Sequence, residues 1–271
     1  MMSDFKLTAE NYYSIEANQH YASYSQYTDM MGALGKDCCE ARALAKLEGR
    51  FYEAPSTAML VGSYVDAYFE GTLPKFKSEN PEIFTKAGTL RANYKNAEQM
   101  IMRAERDDLF MKYMSGEKQT IMTFEFLGIN WKCKIDSFIP GVAIVDLKTT
   151  RDLHASLYSE EWGGKLDFVR YWGYDIQGAL YQKGVEINTG KKLPFYIAGI
   201  EKPTSSKETD IEIIGFTQKD LDDALSLLEG NVNRFMQVRK REVKPDRCGI
   251  CNYCRDTKKL VEPINFKDLI A

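Results

Sequence analysis

The stretch FEFLGINWKCKIDSFIPGVAIVDLKTT, residues 124–150, constrains the fold more than any other part of the chain. It reads as two β-strands joined by a tight turn at Pro140-Gly141. The first strand ends in an acid, Asp136. The second, Ala143-Ile144-Val145-Asp146-Leu147-Lys148, carries an acid and a lysine two residues apart. Side chains alternate along a strand, so Asp146 and Lys148 share one face and Leu147 takes the other. Asp136 lies ten residues before Asp146, a spacing that lets two strands meet across a short hairpin. Two carboxylates beside one lysine suit a divalent cation and a polarised water near a phosphodiester. The plainer reading is a surface salt pair, which contributes under about 1 kcal/mol. Against it, both acids follow apolar residues, Ile135 and Val145, as strands leaving a core do.

The rest of the chain frames this hairpin as one α/β domain with insertions. Over 271 residues there is no linker-like segment, and 44% apolar content is enough for a substantial core. The division expected is a mainly helical part at 1–115, an α/β core at 116–240 and a cysteine-containing segment at 241–271. Helices are expected after Ser23 or Ser25 and at 38–49, 56–70, 91–115 and 168–183, with another from Thr217 to about 240. Buried-type strands are expected at 194–200 and 211–216, an insertion or loop at 74–90 and a polar loop at 152–166.

No stretch approaches the roughly 18 apolar residues that span a bilayer, and the N-terminus has no apolar export signal. The expectation is a cytoplasmic protein away from membranes, in which six cysteines are thiols or ligands rather than disulfides. A net charge of −3 does not favour nucleic acid globally, so any such contact has to be local. Arg234 through Lys244, Lys191-Lys192 and Arg170 are the basic candidates; each reads equally well as a solvated helix face.

Three further patterns accompany the hairpin. In Gln177-Gly178-Ala179-Leu180-Tyr181 an amide and a phenol stand at i and i+4 on one helix face. Gly62-Ser63-Tyr64-Val65-Asp66 places an acid one turn after a glycine on an upstream helix. Cys248, Cys251 and Cys254 fall within seven residues, with Cys39 or Cys38 as an upstream partner, and four thiolates make a full set for zinc or an iron–sulfur cluster. Cys133 reads as a buried strand thiol. Glu125 reads as a cross-strand surface residue or, alternatively, a second-metal ligand. His20 and His154 read as surface histidines, with DNA contact as the alternative for His154. Trp162, Tyr171 and Trp172 either stack on an unpaired base or pack in the core. There is no Gly-rich phosphate loop, hence no built-in ATPase motor, and no local signature of a Ser/His/Asp or Cys/His hydrolase.

From about Ser23 to Arg255 the pattern resembles the PD-(D/E)xK nuclease superfamily, in particular RecB-like and phage-type exonucleases. The match runs through Asp136, Asp146-Leu147-Lys148, Gln177…Tyr181 and Gly62…Asp66, with Asp66 standing where RecB has His. The resemblance implies a restriction-endonuclease-like core, a central mixed sheet flanked by helices, after a helical N-terminal region. It implies catalytic roles for Asp136, Asp146, Lys148, Gln177 and Tyr181. Mg²⁺ or Mn²⁺ would be held by Asp66, Asp136, Asp146 and the backbone carbonyl of Leu147. The activity implied is metal-dependent exonuclease action on linear double-stranded DNA in phage-type recombination or repair, with a single-strand annealing protein as partner and a homo-oligomeric assembly.

In the iron–sulfur subset of the superfamily, one N-terminal and three C-terminal cysteines hold a 4Fe–4S cluster, which assigns Cys39, Cys248, Cys251 and Cys254. The C-x2-C-x2-C spacing is shorter than that pattern, which leaves zinc, or free thiols with no metal, open. The rival reading is a DNA-binding or assembly module that kept the fold, lost the chemistry and is stabilised by metal at the cysteines.

Overall fold

The computed structural model describes residues 5–269. Seven helices precede the sheet: α1 (Ile15–His20), α2 (Tyr24–Met31), α3 (Glu40–Leu47), α4 (Thr57–Phe69), α5 (Leu73–Glu79), α6 (Ala92–Glu105) and α7 (Asp108–Tyr113). Three strands follow, β1 (Glu117–Phe126), β2 (Ile129–Ile139) and β3 (Ala143–Thr150), then a small hairpin of β4 (Leu157–Ser159) and β5 (Gly164–Leu166). The chain continues through α8 (Phe168–Trp172), α9 (Tyr174–Thr189), β6 (Phe195–Glu201), β7 (Ile211–Gly215), α10 (Gln218–Arg239) and α11 (Asn252–Asp256).

The main sheet has the order β1-β2-β3-β6-β7. The β3–β6 pair is parallel and the other neighbours are antiparallel. This is the expected mixed sheet flanked by helices. A parallel pair needs a crossover, and α8 and α9 supply it, which carries α9 across the sheet beside β3. On that side β2, β3 and β6 bury Trp131, Ile135, Ile144, Phe195 and Ile197 against α2, α9 and α10. The opposite face packs Val145, Leu147, Ala198 and Ile200 against α4, α6 and α7. Helix α10 shows how pattern becomes packing. Thr217 and Asp220 form a reciprocal capping box, and Leu221, Ala224, Leu228, Val232, Phe235 and Val238 recur every three or four residues to bury one stripe. Phe235 stacks on Trp131 of β2 at 5.7 Å.

Several elements depart from expectation for local reasons. Residues 117–139 hold two strands where the sequence suggested one, because Leu127 and Gly128 turn the chain with φ of 55° and 69°. A two-residue hairpin turn with both φ positive ordinarily carries Asn-Gly, so Leu-Gly gives little signal. The expected 168–183 helix is broken at Gly173, which adopts φ 73° and accepts a hydrogen bond at its carbonyl from the Tyr24 hydroxyl (2.6 Å). Asp107 caps α7 through the Phe110 N–H and so divides the expected 91–115 helix. The expected loops at 74–90 and 152–166 contain α5 and the β4–β5 hairpin.

Candidate active site

The β2–β3 ladder pairs Ser137 with Val145, Phe138 with Ile144 and Ile139 with Ala143, and stops there. Asp136 and Asp146 come next on each strand, where the two strands part. Asp136 is held at both oxygens: Oδ2 accepts from the Leu147 N–H (2.8 Å) and Oδ1 from Gln119 Nε2 (3.1 Å). Asp146 is buried, and its Oδ1 accepts from Gln177 Nε2 at 2.7 Å. The Lys148 ammonium makes an ion pair with Asp146 Oδ2. That oxygen is buried, with the ammonium as its partner. Lys148 Nζ also lies 4.8 Å from the Tyr174 ring centroid, within cation–π range.

Helix α4 brings the third acid. Ser56 caps it, and Gly62 lets it lie close to β3, since a Cβ there would stand 3.1 Å from Thr149 Oγ1. One turn later, Asp66 lines a narrow crevice with Glu70, Gln119, Asp136 and Leu147. Burial, and then the charge of Asp146, push Asp136 up to about 7. Burial, and then the charge of Asp136, raise Asp66 well above the carboxylate range. Burial alone would lower Lys148, but Asp146 beside it reverses the sign and keeps the amine cationic.

Crowded, buried carboxylates served by one lysine are costly unless a counter-ion joins them. Hard oxygen donors on three crowded acids, with Gln119 Oε1 buried and unpartnered beside them, suit a divalent cation such as Mg²⁺ or Mn²⁺. The residues present therefore fit the cation that the resemblance implies.

Among the residues singled out from the sequence, Asp66, Asp136, Asp146, Leu147, Lys148 and Gln177 come together here. Tyr181 does not reach Lys148; it lies one turn beyond Gln177, buried in the core on the α9 side. The phenol beside Lys148 is that of Tyr174, three residues before Gln177 and on the same helix face, a spacing that was readable in the sequence. Gln119 and Glu70 were also missed, because neither falls in a recognisable motif. Gln119 lies inside β1 with φ 53°, left-handed backbone that costs a non-glycine residue about 1–2 kcal/mol. The β1–β2 ladder passes from Lys118↔Ser137 to Thr120↔Ile135 without it. Glu125 is exposed near the far hairpin end, opposite Asn130, away from these acids.

The cysteines gather at a separate place. Cys39 caps α3, Cys251 caps α11, and the Sγ atoms of Cys39, Cys248, Cys251 and Cys254 all lie within 4.8 Å of one another. Cys39 and Cys254 are 3.5 Å apart and Cys248 and Cys254 4.0 Å. Cys38 is not in the group. Burial opposes ionisation of Cys248, but backbone N–H groups of Cys251 and Ile250 outweigh it and bring the thiol down to about 6. Burial pushes Cys251 up to about 12. The segment is also tied to α3 by Glu40, which pairs with Arg234 through two hydrogen bonds (2.8 and 2.6 Å) and accepts from the Asp246 N–H (2.7 Å).

The basic candidates are largely engaged within the protein. Arg234 pairs with Glu40 and Asp246, Arg241 with Glu48, Lys192 with Asp222 and Arg170 with Asp167. Arg239 donates to the carbonyls of Asn18 and Gln19. His154 is exposed, 3.6 Å from Asp210, and His20 packs against Phe5 and Tyr21. Trp162 and Trp172 are exposed rather than in the core; Tyr171 packs edge-on against Trp172. Cys133 is buried in β2, as expected.

No helix among the described residues is long and apolar enough to cross a membrane. The chain matches no curated protein. A crystal structure from Eubacterium rectale, described provisionally as an exonuclease, is 55% identical, with a TM-score of 0.94 over 98% of this chain and 99% of that one. A family described as a PDDEXK-like domain of unknown function (DUF3799) matches residues 23–257, a span that includes the three crowded acids, Lys148, Gln177 and the four clustered cysteines. With the sheet, the acids and the lysine arranged as above, the chain belongs to this PDDEXK-like family of the PD-(D/E)xK nuclease superfamily.

Proposed function

We propose that this protein is a metal-dependent DNA exonuclease that hydrolyses phosphodiester bonds at the split between β2 and β3. The observation that carries the reading is the meeting of Asp136, Asp146 and Lys148 there, with the buried Asp146 ion-paired to the lysine. Asp136, Asp146, Asp66 and the Leu147 carbonyl are the groups that would hold Mg²⁺ or Mn²⁺. When bound, the ion supplies Lewis-acid stabilisation of the scissile phosphate and a more acidic water. Lys148, kept cationic by its carboxylate neighbour, orients that water and stabilises negative charge developing on the phosphate. Gln177 fixes Asp146 through Oδ1, and Tyr174 packs against the Lys148 ammonium. The exposed indoles of Trp162 and Trp172 offer stacking surfaces for an unpaired terminal base.

The substrate in this reading is linear double-stranded DNA and the setting phage-type recombination or repair, with a strand-annealing partner and a homo-oligomer. The description of the Eubacterium rectale protein as an exonuclease supports the activity. The test is Mg²⁺-dependent nucleotide release from linear and circular duplexes, with Asp146→Ala and Lys148→Ala alongside. Release from linear DNA alone, lost in both variants and with chelator, is expected. Full activity in both folded variants would refute the assignment.

At the cysteines the same proposal takes a single zinc ion. Thiolates about 2.3 Å from one tetrahedral ion stand about 3.8 Å apart, which the 3.5 and 4.0 Å separations bracket. A 4Fe–4S cluster puts each thiolate on a different iron and spreads the sulfurs further. Zinc there would link α3 to α11 across most of the chain, as a structural clasp remote from the acids.

A further inference from the structure

Gln119 combines three features that ordinary strand packing does not require. Its backbone is left-handed in the middle of β1, and it is passed over by the ladder to β2. Its Nε2 donates to Asp136 Oδ1. Its Oε1 is buried without a hydrogen-bond partner while the residue lines the crevice shared with Asp66, Glu70 and Asp136.

Between Lys118↔Ser137 and Thr120↔Ile135, Gln119 stands directly opposite Asp136, yet the two are not joined by the ladder. Ile135 and Phe138, three residues apart on the facing strand, both pack into the core on the α9 side, so the alternation of β2 slips beside Asp136 as well. The distortion on both strands thus centres on the Gln119–Asp136 pair. Strained backbone persists where surrounding structure enforces it, and it concentrates at functional sites. The unused oxygen gives the direction. Asp66, Glu70 and Asp136 line one crevice with Gln119, whose Oε1 adds a further oxygen there. Oxygens clustered in this way suit a divalent cation held directly by them.

We infer that Gln119 is a positioning residue of the cation site: its amide N–H sets the orientation of Asp136, and its buried Oε1 adds an oxygen beside the acids. The inference rests on Asp136 and Asp146 being cation ligands. Groups that orient a ligand typically change metal affinity by about 10- to 100-fold when removed. Gln119 does so from a strand with no motif of its own, standing across from Asp136 where the ladder is interrupted.

The test separates backbone from side chain. Gln119→Gly relieves the left-handed conformation and removes the amide; Gln119→Met keeps the length and removes donor and acceptor. Mn²⁺ is titrated calorimetrically into the metal-free full chain without DNA, for wild type, both variants and Asp146→Ala. Cleavage is then measured against Mn²⁺ concentration. Both variants are expected to fold, with Gln119→Gly at least as heat-stable as wild type. They should bind Mn²⁺ at least about tenfold more weakly and recover most of their rate at saturating Mn²⁺. Wild-type affinity within twofold in whichever variant folds would overturn the inference while leaving the site intact. Identical isotherms for wild type and Asp146→Ala would instead overturn the underlying cation reading, and this inference with it.

Discussion

Asp136→Asn in the metal-free protein gives a quantitative test of how crowded the acids are. In the native chain the Asp136 carboxyl is raised from 3.8 to about 7. Between these values the folded state binds a proton that the unfolded state has already released, so stability falls as pH rises from about 4 to about 7 and levels off above. Three pH units at about 1.4 kcal/mol each make the loss roughly 4 kcal/mol. Asp66, shifted in the same direction, adds to the slope with the same sign.

The asparagine removes the charge but cannot accept at both positions. It keeps an acceptor for Gln119 Nε2 and loses the one for the Leu147 N–H, at a cost of about 1–2 kcal/mol. The variant is therefore expected to be less stable than wild type near pH 4.5 and more stable, by roughly 2–3 kcal/mol, at pH 8. Urea unfolding with chelator at pH 4.5, 5.5, 6.5 and 8 measures this directly. The slope of stability against pH should fall by about 1.4 kcal/mol per unit in the variant. Parallel curves for the two proteins would refute the claim that Asp136 is held protonated by burial and by Asp146.

Other expectations are as direct. Gly178→Ala should destabilise the protein by roughly 1–3 kcal/mol in thermal unfolding, because its Cβ would stand 2.4 Å from the Phe195 ring and force α9 off β6; an unchanged melting point would contradict the packing. Metal analysis should find one zinc per chain and no broad visible absorbance, with Cys251→Ser losing both the zinc and part of the thermal stability. Four irons per chain would overturn the single-ion geometry. Tyr174→Ala, which removes the ring over Lys148, should slow cleavage more than Tyr181→Phe, whose hydroxyl makes no hydrogen bond among the described residues; the reverse order would restore the phenol of Tyr181 to the site.

Much of the site was readable from the chain because strand geometry is simple. Asp146 and Lys148 had to share a face, and the turn at Pro140-Gly141 brought Asp136 back toward them. Gln177 was readable from helix spacing, although only the structure shows that its partner is Asp146 and that Tyr181 turns into the core. The hairpin at Leu127-Gly128 was hidden, since Leu is an unusual residue for positive φ. Gly173 reads as helix interior in the sequence, because local pattern does not reveal that Tyr24 binds its carbonyl from far along the chain. Gln119 was out of reach for a related reason: its role comes from a backbone conformation that its residue type disfavours. The choice between Cys38 and Cys39 needed the docking of residue 246 against α3, a contact across more than 200 residues that no local pattern encodes.

The most direct measurement is anomalous scattering from crystals of the full chain soaked in Mn²⁺. The account predicts a peak within ligand distance of Asp136, Asp146 and the Leu147 carbonyl, about 2.0–2.3 Å from their oxygens. No peak between β2 and β3 at saturating Mn²⁺, or one bound only elsewhere, would contradict it.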